Sequence, residues 1–175
     1  MTVIGSHLWT NVDIVQETEG YGPKTVDKDY SGIIIGCIFV IRDDGALLMQ
    51  LRDDMPGLRH AGLWVPPGGH MELGETLIET AVREFQEETQ LKCQKLQWLN
   101  AIEVNSHPWP RLLLGMFWTI YNNKPFECHE GQKLKFVEPG VASQYPMPLF
   151  VVKVWKNILL RADCKEELVA CSIPL

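Results

Sequence analysis

Three glutamates near the middle of the chain, Glu84, Glu87 and Glu88, have a spacing that could do chemistry. On an α-helix, residues three or four positions apart lie on one face, so the three carboxylates would be neighbours. Like charges this close repel each other, and a divalent cation would compensate for them. Carboxylate oxygen is the ligand that Mg²⁺ prefers, together with water and substrate phosphates. An acidic helix face that only contacts solvent is the alternative for the glutamates alone.

The residues before these glutamates favour the metal-site interpretation. A glycine-rich turn at Gly68-Gly69 precedes Glu75 and Arg83. Residues 75–89 contain neither Gly nor Pro, and one side of them is apolar, which predicts an amphipathic helix. Such a helix would anchor its apolar side in the core and hold the carboxylates rigidly at the edge of a cleft.

Residues 69–91, GHMELGETLIETAVREFQEETQL, resemble the Nudix box, G-x5-E-x7-R-E-U-x-E-E-x-G-U, in which U is a bulky aliphatic residue. The matching positions are Gly69, Glu75, Arg83, Glu84, Glu87, Glu88 and Leu91. Two positions differ, because Phe85 replaces an aliphatic residue and Gln90 replaces the second Gly. Gly at that point suits a left-handed helix cap, so Gln would cost roughly 1 kcal/mol if the conformation is kept.

The resemblance implies an α/β fold, an α/β/α sandwich with a mixed sheet between helices. It implies that Glu84, Glu87 and Glu88 bind Mg²⁺, for which Mn²⁺ can substitute, and that one of them helps to activate water. It also implies that Arg83 pairs with Glu75 to brace the helix against the preceding loop. Gly68 and Gly69 would let the backbone approach the phosphates of the substrate closely.

A second resemblance lies outside the box. Glu130-Gly131-Gln132 is similar to a short segment of the MutT-type branch, in which the glutamate lies beside the metals. The resemblance therefore adds Glu130 to the metal ligands and catalytic residues. The Pro-rich segment at 145–149 lacks the Asn that contacts the base in that branch, so the base stays open. Three aromatic residues could stack on a base, although each is more readily explained as core: Trp109, Trp118 and Tyr145.

The remaining elements follow from the hydrophobic pattern. Strands are predicted at 33–41, 46–51, 64–65, 96–104, 111–121 and 133–137, and a closing helix at 149–162. This order of strands, helix, strands and helix predicts a mixed sheet between helices. We place one Nudix hydrolase domain at 31–163, a C-terminal tail at 164–175 and an extension at 1–30. The extension could be an extra strand, a dimer arm or a mobile tail.

Composition limits the partners and the compartment. The chain has 175 residues, 46% hydrophobic and 22% charged, which suits one folded domain. A net charge of -6 argues against a nucleic-acid polymer or a membrane as partner. The five cysteines are odd in number and show no C-x-x-C spacing, so neither disulfides nor zinc are expected. Free thiols, with no signal pattern and no long apolar run, predict the cytoplasm.

The predicted function is a Mg²⁺-dependent pyrophosphohydrolase that cleaves a nucleoside diphosphate linked to another moiety. The first choice of substrate is a nucleoside triphosphate, oxidised and non-standard ones included, cut to monophosphate and pyrophosphate. Hydrolysis of a nucleotide sugar is the alternative. A non-catalytic ligand sensor is the alternative from another class, and it would be expected to lose the box carboxylates that this chain retains. Decapping of RNA is disfavoured because no basic groove is visible, and a homodimer is left open.

Overall fold

The computed structural model describes residues 13–17, 22, 24, 26, 29–93, 95–105, 108–121, 123–161 and 164–166. The strands are β1 (Asp13–Glu17), β2 (Ile33–Ile41), β3 (Leu47–Leu51), β4 (Trp64–Val65), β5 (Gly68–His70), β6 (Gln97–Asn105), β7 (Leu112–Ile120) and β8 (Lys133–Val137). The helices are α1 (Leu77–Thr89), between β5 and β6, and α2 (Leu149–Leu160), which follows a short 3₁₀ helix at Pro139–Gln144.

The eight described strands form one mixed sheet. Their order is β1-β6-β7-β2-β3-β4, with β5 paired to β2 and β8 paired to β3. β2 and β7 run parallel from the pair Ile33 and Leu112 to the pair Ile41 and Ile120, and the other pairs are antiparallel. Central parallel strands are covered on both faces, which explains why both sequences are almost continuously apolar.

A helix covers each face of this sheet. On one face α1 contributes Leu77, Ala81 and Phe85 to a core cluster. The other buried members of this cluster are Ile38, Val40, Leu48, Leu91 and Phe117. On the other face α2 places Val151, Trp155 and Ile158 in a second cluster, which also holds Cys37 and Trp118. The predicted α/β fold with a mixed sheet between helices is therefore confirmed. Trp118 is 0% exposed, so it belongs to the core and cannot stack on a base.

The first helix begins two residues later than predicted because its start is a capping box. Thr76 is the N-cap, and its side chain accepts a hydrogen bond from the backbone of Glu79 at 3.4 Å. The Glu79 carboxylate accepts one in return from the Thr76 backbone at 2.9 Å. These two bonds satisfy backbone donors that a helix start leaves unpaired.

Both predicted flanking segments are described only in part. Within the extension, β1 pairs with β6, so residues 13–17 are an extra strand, one of the three alternatives considered. Residues 1–12 and 167–175 lie outside the described residues. Cys164, assigned to the C-terminal tail, is buried in the cluster beneath α2. Within the described ranges, the structure has no helix of the length and apolarity that crossing a membrane requires.

Candidate active site

The most deeply buried carboxylate of α1 is Glu88, which is 2% exposed. Its Oε2 accepts a hydrogen bond from the Gly68 backbone at 2.8 Å, and its Oε1 accepts one from Gln50 Nε2 at 3.2 Å. The pKa of Glu88 is raised to about 8, chiefly by burial and also by the negative charges of Glu130 and Glu84, while the two hydrogen bonds oppose the shift. Within the described ranges, no Lys, Arg or His side chain forms an ion pair with Glu88.

Glu84 lies one helical turn before Glu88, and its carboxylate lies against Gly69 of β5. A Cβ added to Gly69 would be 2.4 Å from the Glu84 carboxylate, so a side chain at this position would displace it. A Cβ added to Gly68 would be 2.3 Å from the backbone oxygen of Gly36 on β2. The two glycines thus allow β5 to fit between β2 and the Glu84 carboxylate of α1.

Glu87 lies at the open side of the cluster, with 62% of its side chain exposed. Arg83 Nη1 donates to Glu84 Oε1 at 2.9 Å and to Glu87 Oε2 at 3.2 Å. Arg83 therefore compensates two of the three helix carboxylates, Glu84 and Glu87, and forms no ion pair with Glu88. Across the part of the chain that the structure describes, no three Asp, Glu, His or Cys side chains are already arranged to hold a metal ion.

Arg83 also contacts Glu75, as the resemblance implied. Its Nε donates to Glu75 Oε1 at 2.6 Å and its Nη2 to Glu75 Oε2 at 3.0 Å. The same Nη2 donates to the backbone oxygen of His70 at 2.9 Å. The hydrogen-bonded guanidinium holds the pKa of Glu75 down, to about 2. One arginine thus joins α1, the loop before it and the end of β5.

Glu130 is brought to the same end of α1 by the segment between β7 and β8. The backbone of His129 donates to the backbone oxygen of Glu88 at 3.0 Å, and that of Glu127 donates to Thr89 at 3.1 Å. These bonds satisfy carbonyls that a helix end leaves unpaired. The structure thus brings Glu84 and Glu130 close enough to Glu88 for their charges to act on it, and Arg83 joins Glu87 to Glu84.

One residue of the site was missed by the sequence analysis. Gln50 was predicted only as part of a strand, and its buried amide donates to Glu88 Oε1 and to the backbone oxygen of Glu130, the latter at 2.9 Å. A signal was present, because Gln50 is the single polar residue in the strand LLMQL. A polar side chain inside an apolar strand needs buried partners, although the sequence does not say which ones.

Two of the three aromatic candidates remain accessible. Tyr145 is half-buried and packs edge-on against Trp64, with their ring centroids 5.4 Å apart. Trp109 is also half-buried, and the Arg59 guanidinium lies 5.5 Å from its ring centroid. Tyr145 also has Lys135 Nζ 4.8 Å from its ring centroid and accepts a hydrogen bond from it at 2.7 Å, so each ring already has neighbours in the protein.

Comparison with known proteins identifies the family. Residues 31–137 match the family model of the NUDIX domain, so the chain belongs to this family. The match spans the box, the sheet from β2 to β8 and the segment that carries Glu130. The resemblance read from the box residues is therefore confirmed.

Three curated relatives are similar over parts of the chain. The m7GpppN-mRNA hydrolase NUDT17 of Xenopus laevis is 61% identical over 67 residues, 38% of this chain and 23% of the relative. The asymmetrical bis(5'-nucleosyl)-tetraphosphatase of Rattus norvegicus is 46% identical over 50 residues, 29% of this chain and 30% of the relative. The NAD-capped RNA hydrolase NudC of Photorhabdus laumondii is 37% identical over 104 residues, 58% of this chain and 35% of the relative. Each is named as a hydrolase, which agrees with the predicted class of enzyme, but the chain spans only a quarter to a third of their lengths.

Solved structures show the same fold at lower identity. The NUDIX domain of Shewanella oneidensis NrtR, solved with ADP ribose, has a TM-score of 0.63 at 16% identity, over 85% of this chain and 94% of that one. A MutT protein from work on Aliivibrio salmonicida and Vibrio cholerae has a TM-score of 0.57 at 23% identity, over 71% of this chain and 94% of that one. These similarities establish the fold, and the substrate has to be argued from the site.

Proposed function

We propose that this chain hydrolyses a phosphoanhydride bond in a compound whose two nucleosides are joined through phosphates, with Mg²⁺ or Mn²⁺ as cofactor. The observation that carries the proposal is the buried Glu88 carboxylate, which lies beside Glu84 and Glu130 and has no ion pair with a described Lys, Arg or His side chain. A site of this kind gains from a divalent cation, and the cation in turn gains from the negative charge of a phosphate chain.

The donor set fits the proposed cofactor. Its side-chain ligands would be Glu84, Glu87, Glu88 and Glu130, and oxygen-only sets of this kind suit Mg²⁺ and Mn²⁺. The raised pKa of Glu88 reflects its burial first and the nearby negative charges of Glu130 and Glu84 second, and such a cation would compensate for those charges. When bound, it would polarise phosphoryl oxygens and lower the pKa of an attacking water.

The chain's own residues would keep this donor set in place. Glu88 is held by donors from Gly68 and Gln50, and Arg83 holds Glu84 and Glu87 from the other side. All three carboxylates project from a helix whose apolar side is buried against the sheet. Catalytic groups on a packed helix are positioned more accurately than groups on loops.

The named relatives favour the substrate class. An m7GpppN cap, a bis(5'-nucleosyl) tetraphosphate and an NAD cap each contain two nucleosides joined through a chain of phosphates. The partly exposed rings of Trp109 and Tyr145 are candidates for stacking on a base of such a compound. We therefore place this class before the nucleoside triphosphate that the sequence favoured.

A nucleoside triphosphate is the second candidate, and the position of Glu130 favours it. Several carboxylates can hold more than one Mg²⁺, and a triphosphate brings enough negative charge to compensate for those cations. A nucleotide sugar carries less charge and gains less from such a site. The expectation that no nucleic-acid polymer binds stays a prediction, because two relatives are named for activity on RNA.

The test is a panel at equal concentration with Mg²⁺: diadenosine tetraphosphate, m7GpppG, NAD, ordinary and oxidised triphosphates, and a nucleotide sugar. We expect the highest kcat/KM for a compound with two nucleosides, with products identified by mass. Glu88→Gln should abolish every activity in the panel. If a triphosphate is the best substrate and Glu130→Gln slows its cleavage, the second candidate holds. A nucleotide sugar as best substrate contradicts both candidates, and binding without any cleavage indicates a ligand sensor.

A further inference from the structure

Gln50 lies between two of the acidic residues and belongs to neither of their elements. It is 2% exposed on β3, and its Nε2 donates to Glu88 Oε1 at 3.2 Å and to the backbone oxygen of Glu130 at 2.9 Å. A backbone carbonyl can only accept a hydrogen bond, so the nitrogen of the amide must face Glu130. Both hydrogens of one amide group therefore have a partner at the site.

The segment that carries Glu130 rests directly on this side chain. Gly131 has a φ of +72°, and a Cβ there would be 2.7 Å from the backbone oxygen of Leu51 and 3.1 Å from Gln50 Cγ. On the other side, His129 donates its backbone N–H to the backbone oxygen of Glu88. Gln50 thus fills the space between the end of α1 and the Glu130 segment, and it bonds to both.

We propose that Gln50 is a positioning residue, which fixes the Glu88 carboxylate relative to Glu130 and so determines how tightly the site binds a divalent cation. The inference rests on the proposed function, in which both glutamates belong to the metal site. Gln50 would act through them, because both of its N–H groups are used by Glu88 and Glu130. The competing explanation is that Gln50 only satisfies buried polar atoms and contributes to folding alone.

Gln50→Met separates these explanations. Methionine keeps the length and the unbranched shape of the side chain and removes both donors. Loss of a partner that orients a metal ligand typically costs 10–100-fold in metal affinity or activity. We therefore expect Gln50→Met to weaken Mn²⁺ binding by about 10-fold or more, and to lower kcat to a similar extent while KM changes little.

The measurement is Mn²⁺ binding without substrate, followed by electron paramagnetic resonance of the free ion. Thr119→Val serves as the matched control, because it removes a buried polar group from β7 and keeps the shape of the side chain. We expect the control to bind Mn²⁺ like the wild type, with melting curves showing that both variants are folded. A folded Gln50→Met that binds Mn²⁺ within about twofold of the wild type overturns the proposal.

A measurement on the wild type covers the case in which Gln50→Met does not fold. In ¹⁵N spectra we expect the side-chain amide of Gln50 to exchange slowly with water and to shift as Mg²⁺ is titrated to saturation. The exposed amide of Gln132, which donates to the Arg52 backbone at 3.3 Å, is the internal reference and should shift less. A Gln50 amide that is unchanged by saturating Mg²⁺ overturns the proposal. Neither readout needs a substrate, so a chain that binds the cation and hydrolyses nothing defeats the proposed function alone.

Discussion

Glu88 and Gln90, two residues apart, illustrate what a box residue contributes and what a departure from the box costs. Glu88 is a carboxyl group that the fold buries beside other acidic side chains, which makes its ionised form unfavourable in the protein alone. Gln90 has a φ of 57° and a ψ of 11°, so the helix ends in the left-handed conformation that the missing Gly implied. Gln90 therefore stands in place of the Gly of the box and has the left-handed backbone conformation that a Gly would favour there.

The cost of Gln90 can be measured. Gln90→Gly removes a left-handed strain of roughly 1–2 kcal/mol and adds freedom to the unfolded chain worth roughly 0.4–1 kcal/mol. It also removes two exposed hydrogen bonds from Gln90 Nε2, at 3.3 Å to Gln86 and 3.4 Å to Glu87, which are long and contribute little. We expect unchanged activity and a melting temperature higher by about 2 °C.

Gln90→Val is the matched control, because a β-branched residue is poorly tolerated at positive φ and should lower the melting temperature. A lower melting temperature for Gln90→Gly would mean that the amide contacts of Gln90 stabilise the helix end more than the backbone strain destabilises it.

At the scale of elements, the sequence predicted the regular parts and missed the contacts between distant ones. Six of the eight described strands and both helices follow from apolar periodicity, with ends that moved by one or two residues because caps such as Thr76 decide them. The sequence did not predict β5, because Gly68 and Gly69 were interpreted as a turn, and it offered β1 only as one of three alternatives. Glu84, Glu87 and Glu88 could be singled out from the sequence because they are local on one helix, and their role as metal ligands stays a prediction. Gln50 was missed because its partners are 38 and 80 residues away, and no local pattern records such a pairing.

The brace between Glu75 and Arg83 predicts a pH dependence of stability. The pKa of Glu75 is lowered from its ordinary value of 4.5 to about 2, chiefly by hydrogen bonds from Arg83. A lowered pKa in the folded state contributes stability that is fully present above 4.5 and is lost as the pH falls toward 2. Glu75→Gln should therefore unfold at a lower urea concentration than the wild type at pH 7, and the difference should shrink as the pH is lowered through this range.

Glu138→Gln is the control for this comparison, because Glu138 is exposed and its ion pair is long. The distance from Arg42 Nη2 to Glu138 Oε1 is 3.9 Å. Exposed pairs contribute little, so its unfolding midpoint should stay close to the wild type at each pH. A difference between wild type and Glu75→Gln that stays constant with pH would show that Glu75 stabilises the protein without its charge.

At the scale of the whole molecule, the fold places a cluster of acidic side chains at one end of α1, whose apolar side is buried against the sheet. The sheet between α1 and α2 supplies two apolar clusters, and the site draws on β3, β5, α1 and the segment before β8. Three expectations concern properties that this arrangement does not test. They are a cytoplasmic location, a small nucleotide as partner and the possibility of a homodimer, and they stay predictions. The divalent cation that we propose would lie at this cluster.

The central claim is that the clustered carboxylates act through a bound divalent cation, and the most direct test is hydrolysis of the best panel substrate with Mg²⁺ and with excess chelator. We expect the chelator to lower the rate at least ~100-fold, about 2.7 kcal/mol of transition-state stabilisation, and Mg²⁺ or Mn²⁺ to restore it. With Mg²⁺ present, Glu87→Gln and Glu88→Gln should each lower the rate of hydrolysis by the same factor. Both variants should still fold, because an amide relieves the repulsion between the carboxylates. Full activity in excess chelator would contradict the claim.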